Sequence, residues 1–210
     1  MLKKILLFLG ILVVLSFAYY QIWFLRQPAR TIPFNESTFL SPANGKVVGV
    51  TQWHQDTLEW QKDNGAVEVL TRDIDKSGWL IAIEMDVTHV HFQRIPVSSQ
   101  LISKKYTTGK FKNALVHTND YGFRFENERN SLLFETPQGL KYKVVQIAGL
   151  LARRIEDYVE LEENVMQGEV IGLIKLGSQV ALILPNSVEP MVKIGDIVTD
   201  GESILARIKE

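Results

Sequence analysis

A run of 21 uncharged residues near the start of the chain, residues 5–25, restricts the fold more than any other sequence feature. As a helix rising about 1.5 Å per residue, the run would be about 31 Å long, enough to cross a hydrocarbon core of roughly 30 Å. Tyr19, Tyr20 and Trp23 lie near its end, where aromatic rings favour the membrane interface. We therefore predict that residues 1–25 form a retained, single-pass anchor in the cell membrane.

A cleaved signal peptide is the alternative interpretation of this segment. The apolar run is longer than the roughly 7–15 residues usual in signal peptides, and no clear Ala-x-Ala cleavage site follows it. Basic residues flank the run on both sides, with Lys3 and Lys4 before it and Arg26 and Arg30 after it. The positive-inside rule therefore assigns no orientation, and the side of the membrane that holds the rest of the chain stays open.

The composition excludes several functional classes. The 23 basic and 24 acidic residues leave a net charge of −1. This balance argues against a nucleic-acid partner, because nucleic acid is captured by clustered lysine and arginine. The chain has no cysteine, so disulfide scaffolds, thiol nucleophiles and cysteine-ligated zinc sites are excluded.

The rest of the chain divides into a linker and a β-rich domain. Residues 26–40 contain two prolines among mixed polar residues and are interpreted as the linker, which leaves residues 41–210 as the domain. Residues 136–139 (TPQG) predict a hairpin turn, and residues 148–159 are the only segment that predicts a moderate helix. Runs of β-branched and aromatic residues predict strands at 46–50, 79–87, 132–135, 142–147, 169–176, 179–184 and 204–208. This pattern predicts a mainly β fold of the barrel or sandwich type.

Common catalytic and cofactor motifs are absent from the sequence. It contains no GxGxxG fingerprint, P-loop, HExxH motif or GxSxG elbow. His89 and His91 alternate across Val90, so on a strand their side chains would project on the same side. An exposed strand face explains this pair as well as a metal site would, and we predict no metal.

Gly177 and Ser178 form a dipeptide between two predicted apolar strands. A Gly-Ser pair is expected about once by chance in a chain of this length, and a tight turn is its simplest interpretation. A functional interpretation therefore depends on the segments around it.

Segments spread over residues 41–208 resemble motifs of the phosphatidylserine decarboxylase family, and they occur in the family's order. The resemblance is to the short branch of the family, which is archaetidylserine-decarboxylase-like. The resembling segments are 41–47 (SPANGKV), 91–97 (HFQRIPV), 109–114 (GKFKNA), 126–130 (ENERN), 145–155 (VQIAGLLARRI) and 174–185 (IKLGSQVALILP). The resemblance implies the phosphatidylserine decarboxylase fold for residues 41–210.

Members of this family are proenzymes that cut themselves at a Gly-Ser bond. The resemblance implies that the Ser178 hydroxyl attacks the Gly177 carbonyl and converts the amide into an ester. Elimination across Ser178 and loss of ammonia would then leave a pyruvoyl group at the new terminus. The products would be chains of 177 and 33 residues, and the smaller chain, 178–210, would stay a partner of the larger.

The resemblance also implies the reaction and its residues. The pyruvoyl group derived from Ser178 would form a Schiff base with the serine headgroup of phosphatidylserine and accept the electrons released with CO2. The product would be phosphatidylethanolamine. His91 is the candidate acid–base residue that returns a proton, and a purely structural imidazole is the alternative. A membrane-anchored chain suits such a serine phospholipid substrate.

Two features depart from the family's pattern, Asn44 and the segment 179–181. Asn44 replaces the family's Asp, which in longer members belongs to an Asp-His-Ser relay that promotes self-cleavage. Arg94 occupies the position of the relay histidine, as in the short branch, and residues 179–181 (QVA) lack the family's usual Arg and Asp. An amide cannot stabilise a developing imidazolium as a carboxylate does.

Two other functions remain open at this stage. Because of Asn44, one is a non-catalytic, unprocessed relative that binds a lipid or a partner. The other is a barrel module of the biotinyl- or lipoyl-carrier type, with which the glycines of residues 168–172 (GEVIG) are compatible. The chain lacks the lysine-bearing attachment tripeptide of those carriers.

Overall fold

The computed structural model describes residues 1–54, 71–109, 127–149, 154–175 and 178–209. Gly177 lies outside the described residues, as does most of the segment 109–114.

The predicted anchor is a single apolar helix. Helix α1 runs over Leu2–Ala18 and continues as π-helical turns over Tyr19–Phe24. None of the side chains of α1 is buried, whereas Phe24 at the end of the π-helical turns is fully buried. The helix Leu2–Phe24 is long and apolar enough to cross a membrane, a test that a signal sequence would also pass.

The remainder of the described chain is built from strands. The strands are β1 Thr38–Leu40, β2 Gly45–His54, β3 Ser77–Met85, β4 Phe92–Arg94, β5 Ser99–Thr107, β6 Arg129–Glu135, β7 Lys141–Ala148, β8 Ile155–Asp157, β9 Asn164–Val165, β10 Val170–Ile174, β11 Ser178–Pro185, β12 Val188–Pro190, β13 Ile197–Val198 and β14 Ile204–Ile208. β1 overlaps the last residues of the predicted linker.

The strands form three antiparallel sheets. The largest has eight strands in the order β13-β2-β3-β11-β7-β6-β5-β9, and it curls into a half-barrel. Two three-stranded sheets have the orders β4-β10-β8 and β1-β14-β12. The prediction of a mainly β, barrel-like fold is confirmed.

Strand β11 lies in the interior of the large sheet, between β3 and β7, and all of its residues are buried. Side chains alternate between the faces of a strand, so Val180 and Leu182 join the larger core cluster while Ala181 and Ile183 join a second one. Burial on both faces explains why residues 180–184 are apolar without interruption. The strand that begins at Ser178 is thus held on both edges and both faces.

Most local predictions are confirmed, and one is wrong. The turn at 136–139 is present, with Gly139 at a φ of 79° and its N–H donating to the Thr136 carbonyl at 2.8 Å. The helix predicted at 148–159 is not found in the described part of that segment. β7 extends to Ala148, and Ile155–Asp157 forms β8, which pairs with β10. Sheet pairing overrides the local helix preference there.

Candidate active site

One end of the eight-stranded sheet collects the segments that carry the family resemblance. β3 and β7 end there, while β2 and β11 begin there. Ser178 pairs with Met85 on β3 and with Ala148 on β7. On the other edge of β3, Lys46 of β2 pairs with Glu84, one residue before Met85. Residues that are far apart in the sequence therefore lie at the same end of the sheet.

Ser178 is the first residue of β11, and its side chain is completely buried. Within the described residues its Oγ has no hydrogen-bond partner. A buried polar group without a partner is costly, and such groups call for a functional explanation. Gly177, the predicted cleavage partner, lies outside the described residues.

Asn44 lies directly before β2 at the same end of the sheet and is half-buried. The next residue, Gly45, packs so closely on β3 that an added Cβ would lie 2.2 Å from the Glu84 carbonyl oxygen. A glycine at this position lets the start of β2, and Asn44 with it, approach the end of β3 that pairs with Ser178.

His89 and His91 lie in the loop between β3 and β4, so the interpretation of this pair as an exposed strand face does not apply. The loop is fixed by its own polar contacts: the Asp86 N–H donates to His89 Nδ1 at 3.0 Å, and Thr88 donates to the Asp86 carboxylate. These bonds replace strand pairing. Among the described residues, no group of three metal-ligating side chains is found.

The His91 imidazole is fully buried and has a defined tautomer. Nδ1 lies 3.0 Å from the His89 carbonyl oxygen, which only accepts, so Nδ1 carries the hydrogen. Nε2 is buried without a partner in the described part of the chain. Burial lowers the pKa of His91 to about 4, so the ring is neutral at pH 7 and presents a lone pair at Nε2.

The backbone of His91 is held close to the strand that leads to Ser178. The N–H of Ile174, four residues before Ser178, donates to the His91 carbonyl at 3.2 Å. The same carbonyl accepts a 2.6 Å hydrogen bond from Gln93 Nε2. The backbone of His91 is thus bonded to the last residue of β10, and Ser178 is the first residue of β11.

A chain of buried amides connects Gln93 to β7 and β6, and the sequence analysis did not single it out. Gln146 Nε2 donates to Gln93 Oε1 at 2.9 Å, and Asn130 Nδ2 donates to Gln146 Oε1 at 3.1 Å. Asn130 also donates to Asp157 Oδ2 at 3.0 Å. The available signal was polar residues within apolar strand segments, which indicates buried polar side chains that need partners.

Arg94 takes part in a buried ion cluster. Its Nε donates to Asp200 Oδ2 at 2.9 Å, and its Nη1 donates to the Gly168 carbonyl at 2.8 Å. Arg30 of the linker pairs with the other oxygen of the Asp200 carboxylate, which is fully buried. Arg94 therefore holds a carboxylate and is not available as a neutral base.

Comparison with known proteins identifies the family. A profile described as phosphatidylserine decarboxylase matches residues 17–206. The chain belongs to the phosphatidylserine decarboxylase family. Curated phosphatidylserine decarboxylase proenzymes are similar over most of their length. The protein from Geotalea uraniireducens is 36% identical over 184 residues, which cover 88% of this chain and 77% of the relative. The protein from Pelobacter propionicus is 35% identical over 189 residues, covering 90% of this chain and 77% of the relative.

Membership in the phosphatidylserine decarboxylase family confirms the resemblance found in the sequence and makes the chain a carboxy-lyase. The family match also favours this assignment over a biotinyl- or lipoyl-carrier barrel. The roles of Ser178, Gly177, His91 and Asn44 stay predictions.

Proposed function

We propose that this protein decarboxylates phosphatidylserine, or a related serine phospholipid, to phosphatidylethanolamine after cutting itself between Gly177 and Ser178. The observation that carries the proposal is the Ser178 hydroxyl, which is fully buried, without a partner among the described residues, and at the sheet end where the family motifs meet.

Self-cleavage begins at the Ser178 hydroxyl in this proposal. Its Oγ forms a bond to the Gly177 carbonyl carbon, the Gly177–Ser178 C–N bond breaks, and an ester and a free amine result. Elimination of the ester releases the new carboxyl end of the larger chain, and hydrolysis of the dehydroalanine releases ammonia. A hydroxyl without a competing hydrogen bond is suited to the first step, because no existing interaction has to be broken.

The site fits a pyruvoyl group derived from Ser178. When formed, that group supplies an electron-accepting carbonyl for the decarboxylation. Pairing of Ser178 with Met85 and Ala148 holds residue 178 on both edges of its strand. The Ser178 side chain is fully buried, and the low dielectric constant of such surroundings strengthens electrostatic interactions.

His91 supplies the proton transfer in this proposal. The His89 carbonyl fixes its Nδ1 hydrogen, so Nε2 is the atom that takes up and returns a proton. Because burial lowers the pKa of His91 to about 4, a proton placed on Nε2 is readily given up. The unpartnered Nε2 supports this role.

The pairing of the strands supports a small chain that stays bound after cleavage. Residues 178–210 contain β11 to β14. In this segment β11 pairs with β3 and β7, β13 pairs with β2, and β14 pairs with β1. Asp200 adds the ion pair with Arg94. Separating the two products would break all of these contacts.

The apolar helix supports a membrane-bound substrate. A single-pass anchor raises the effective concentration of a lipid headgroup at the site without adding a contact to it. Localisation to the cell membrane is part of the proposal.

Intact-mass measurement on the full chain purified from membranes tests the cleavage. We expect fragments of 177 and 33 residues, with a pyruvoyl terminus on the smaller one that reacts with hydroxylamine. Ser178→Ala should leave the 210-residue chain uncut, whereas Ser187→Ala, which changes an exposed serine just past the other end of β11, should be processed normally. Processed protein should release CO2 from phosphatidylserine labelled in its serine carboxyl.

Asn44 favours a second function, an unprocessed relative that binds a lipid or a partner. A wild-type chain that stays uncut in its native membrane and releases no CO2 would exclude the enzymatic proposal and leave this alternative.

A further inference from the structure

The end of the apolar helix packs against the candidate active site. The side chains of α1 are unburied, but Phe24 is fully buried. Its ring centroid lies 4.2 Å from that of His91, with an angle of 36° between the ring planes. Tyr20 stacks on Phe24 with a centroid distance of 5.5 Å. The end of the helix therefore packs directly against the His91 ring.

Two hydrogen bonds join the same helix end to the loop that carries His91. The Tyr19 hydroxyl donates to the Val87 carbonyl at 3.1 Å, and Arg26 Nη2 donates to the Thr88 carbonyl at 2.6 Å. The Arg26 guanidinium also lies 4.3 Å from the ring centroid of Trp23. These contacts fix the register between the helix end and residues 86–91.

The His91 ring is held by one hydrogen bond and by one aromatic contact. The His89 carbonyl binds Nδ1 and sets the ring's tautomer, while Phe24 packs against the imidazole. Rotation of the imidazole would break the hydrogen bond and displace the phenyl ring. A reacting group held in this way needs little reorganisation, and a small misplacement of such a group lowers rates strongly.

We infer that Phe24 is a positioning residue for His91, so that the end of the membrane helix completes the active site and is more than a tether. This inference rests on the proposed decarboxylase function. Membrane insertion and chemistry are then coupled, because displacement of the helix end would remove the Phe24 ring from its contact with His91.

The expected pH response follows from the surroundings of His91. The charged or titratable groups near the His91 ring are His89, Asp86 and Arg26, and burial is the dominant cause of the low pKa of His91. Removing the Phe24 ring admits water, so the pKa of His91 should rise towards the ordinary histidine value of about 6.5. A side chain that only fills space far from the reacting group would not shift the pH profile.

The test compares Phe24→Ala and Phe24→Leu with the matched control Phe17→Ala. Phe17 lies in the same helix and is 63% exposed. Full-length proteins are assayed in mixed micelles of detergent and phosphatidylserine, with processing measured by intact mass in each sample. For processed Phe24→Ala we expect kcat to fall about 10-fold with KM within about 2-fold, and the pH midpoint of kcat to rise by about one unit.

The controls separate positioning from folding. Phe24→Leu keeps an apolar side chain in the pocket and should retain kcat within about 3-fold, and Phe17→Ala should match wild type. If Phe24→Ala is poorly processed, the comparison uses its processed fraction and Phe24→Leu, whose pH midpoint should rise by a smaller amount.

The outcomes distinguish this inference from the proposed function. Unchanged kcat and pH midpoint in both processed Phe24 variants, with an active wild type, would overturn the inference and leave the decarboxylase function standing. Absence of cleavage and CO2 release in wild type would instead overturn both.

Discussion

The Arg94 guanidinium lies against the Asp200 carboxylate, with Nε 2.9 Å from Oδ2, and the Asp200 side chain is fully buried. Arg30 of the linker binds the same carboxylate. Three segments therefore meet at one charge: the linker, strand β4 and the proposed small chain. The resemblance places Arg94 where longer family members have a relay histidine. In this protein the residue at that position forms an ion pair with Asp200 and does not act as a base.

Removing the shared carboxylate should destabilise the protein. Asp200→Asn leaves the Arg30 and Arg94 guanidinium groups buried without a balancing charge, and breaking a buried pair in this way typically costs about 3–5 kcal/mol. We expect a loss of that size in the free energy of unfolding, measured by urea titration of the full chain in mild detergent. Glu189→Gln, at an exposed carboxylate in the same part of the chain, should change it by less than about 0.5 kcal/mol. Equal effects of the two variants would contradict the structural role of Asp200.

Restoring the family's carboxylate at position 44 should leave self-cleavage equally fast or make it faster. Asn44→Asp places a negative charge beside the start of β2, where it can stabilise positive charge that develops during maturation. Cleavage is followed by timed intact-mass measurement of newly made chain. Asn186→Asp makes the same change in an exposed turn beyond the other end of β11 and should have no effect. A marked slowing by Asn44→Asp would refute this account of the position.

His91 should make folding stability depend on pH. Its pKa is about 4 in the folded protein, below the ordinary value of about 6.5, so the unfolded chain binds more protons between these values. The stability is present above about pH 6.5 and is lost as the pH falls towards 4. Replacement by glutamine in His91→Gln should reduce the loss between pH 7 and pH 4 by about 3 kcal/mol. Urea unfolding of wild type and His91→Gln at the two pH values measures this difference.

His91→Ala should also lower decarboxylation while leaving chain cleavage intact. Loss of a general acid–base group typically reduces a rate by about 10²- to 10⁴-fold. Labelled CO2 release by the processed variant measures the effect. Normal turnover in a fully processed His91→Ala chain would remove His91 from the reaction.

The buried amide chain should stabilise the loop that carries His91. Gln146→Ala removes the group that joins Asn130 to Gln93 and leaves their polar atoms buried without this partner, at about 1–3 kcal/mol for each unsatisfied group. We expect a loss of about 2–3 kcal/mol in urea unfolding. Gln138→Ala, at an exposed turn glutamine, should cost less than about 0.5 kcal/mol. A neutral Gln146→Ala would show that the amide chain does not contribute to stability.

Much of the fold could be predicted from local sequence patterns. The apolar run at 5–25 predicts a helix by its length, and the β-branched runs around β3, β7 and β11 predict strands by their composition; each forms the expected element. The helix predicted at 148–159 is wrong, because residues 155–157 pair with β10. The strand face considered for His89 and His91 is a loop, held by bonds such as that from the Asp86 N–H to His89 Nδ1. The β10 partner of residues 155–157 lies outside any local window.

The sequence by itself determined the apolar helix, the β-rich domain and the order of the family motifs, because these depend on residues close together in the chain. Only the tertiary structure decided that Ser178 begins a strand buried on both faces, that Arg94 pairs with Asp200, and that Phe24 covers His91. The last two contacts join residues 106 and 67 positions apart. Contacts of that range form only when the sheet closes and the helix end docks on it, and a local pattern contains no information about them.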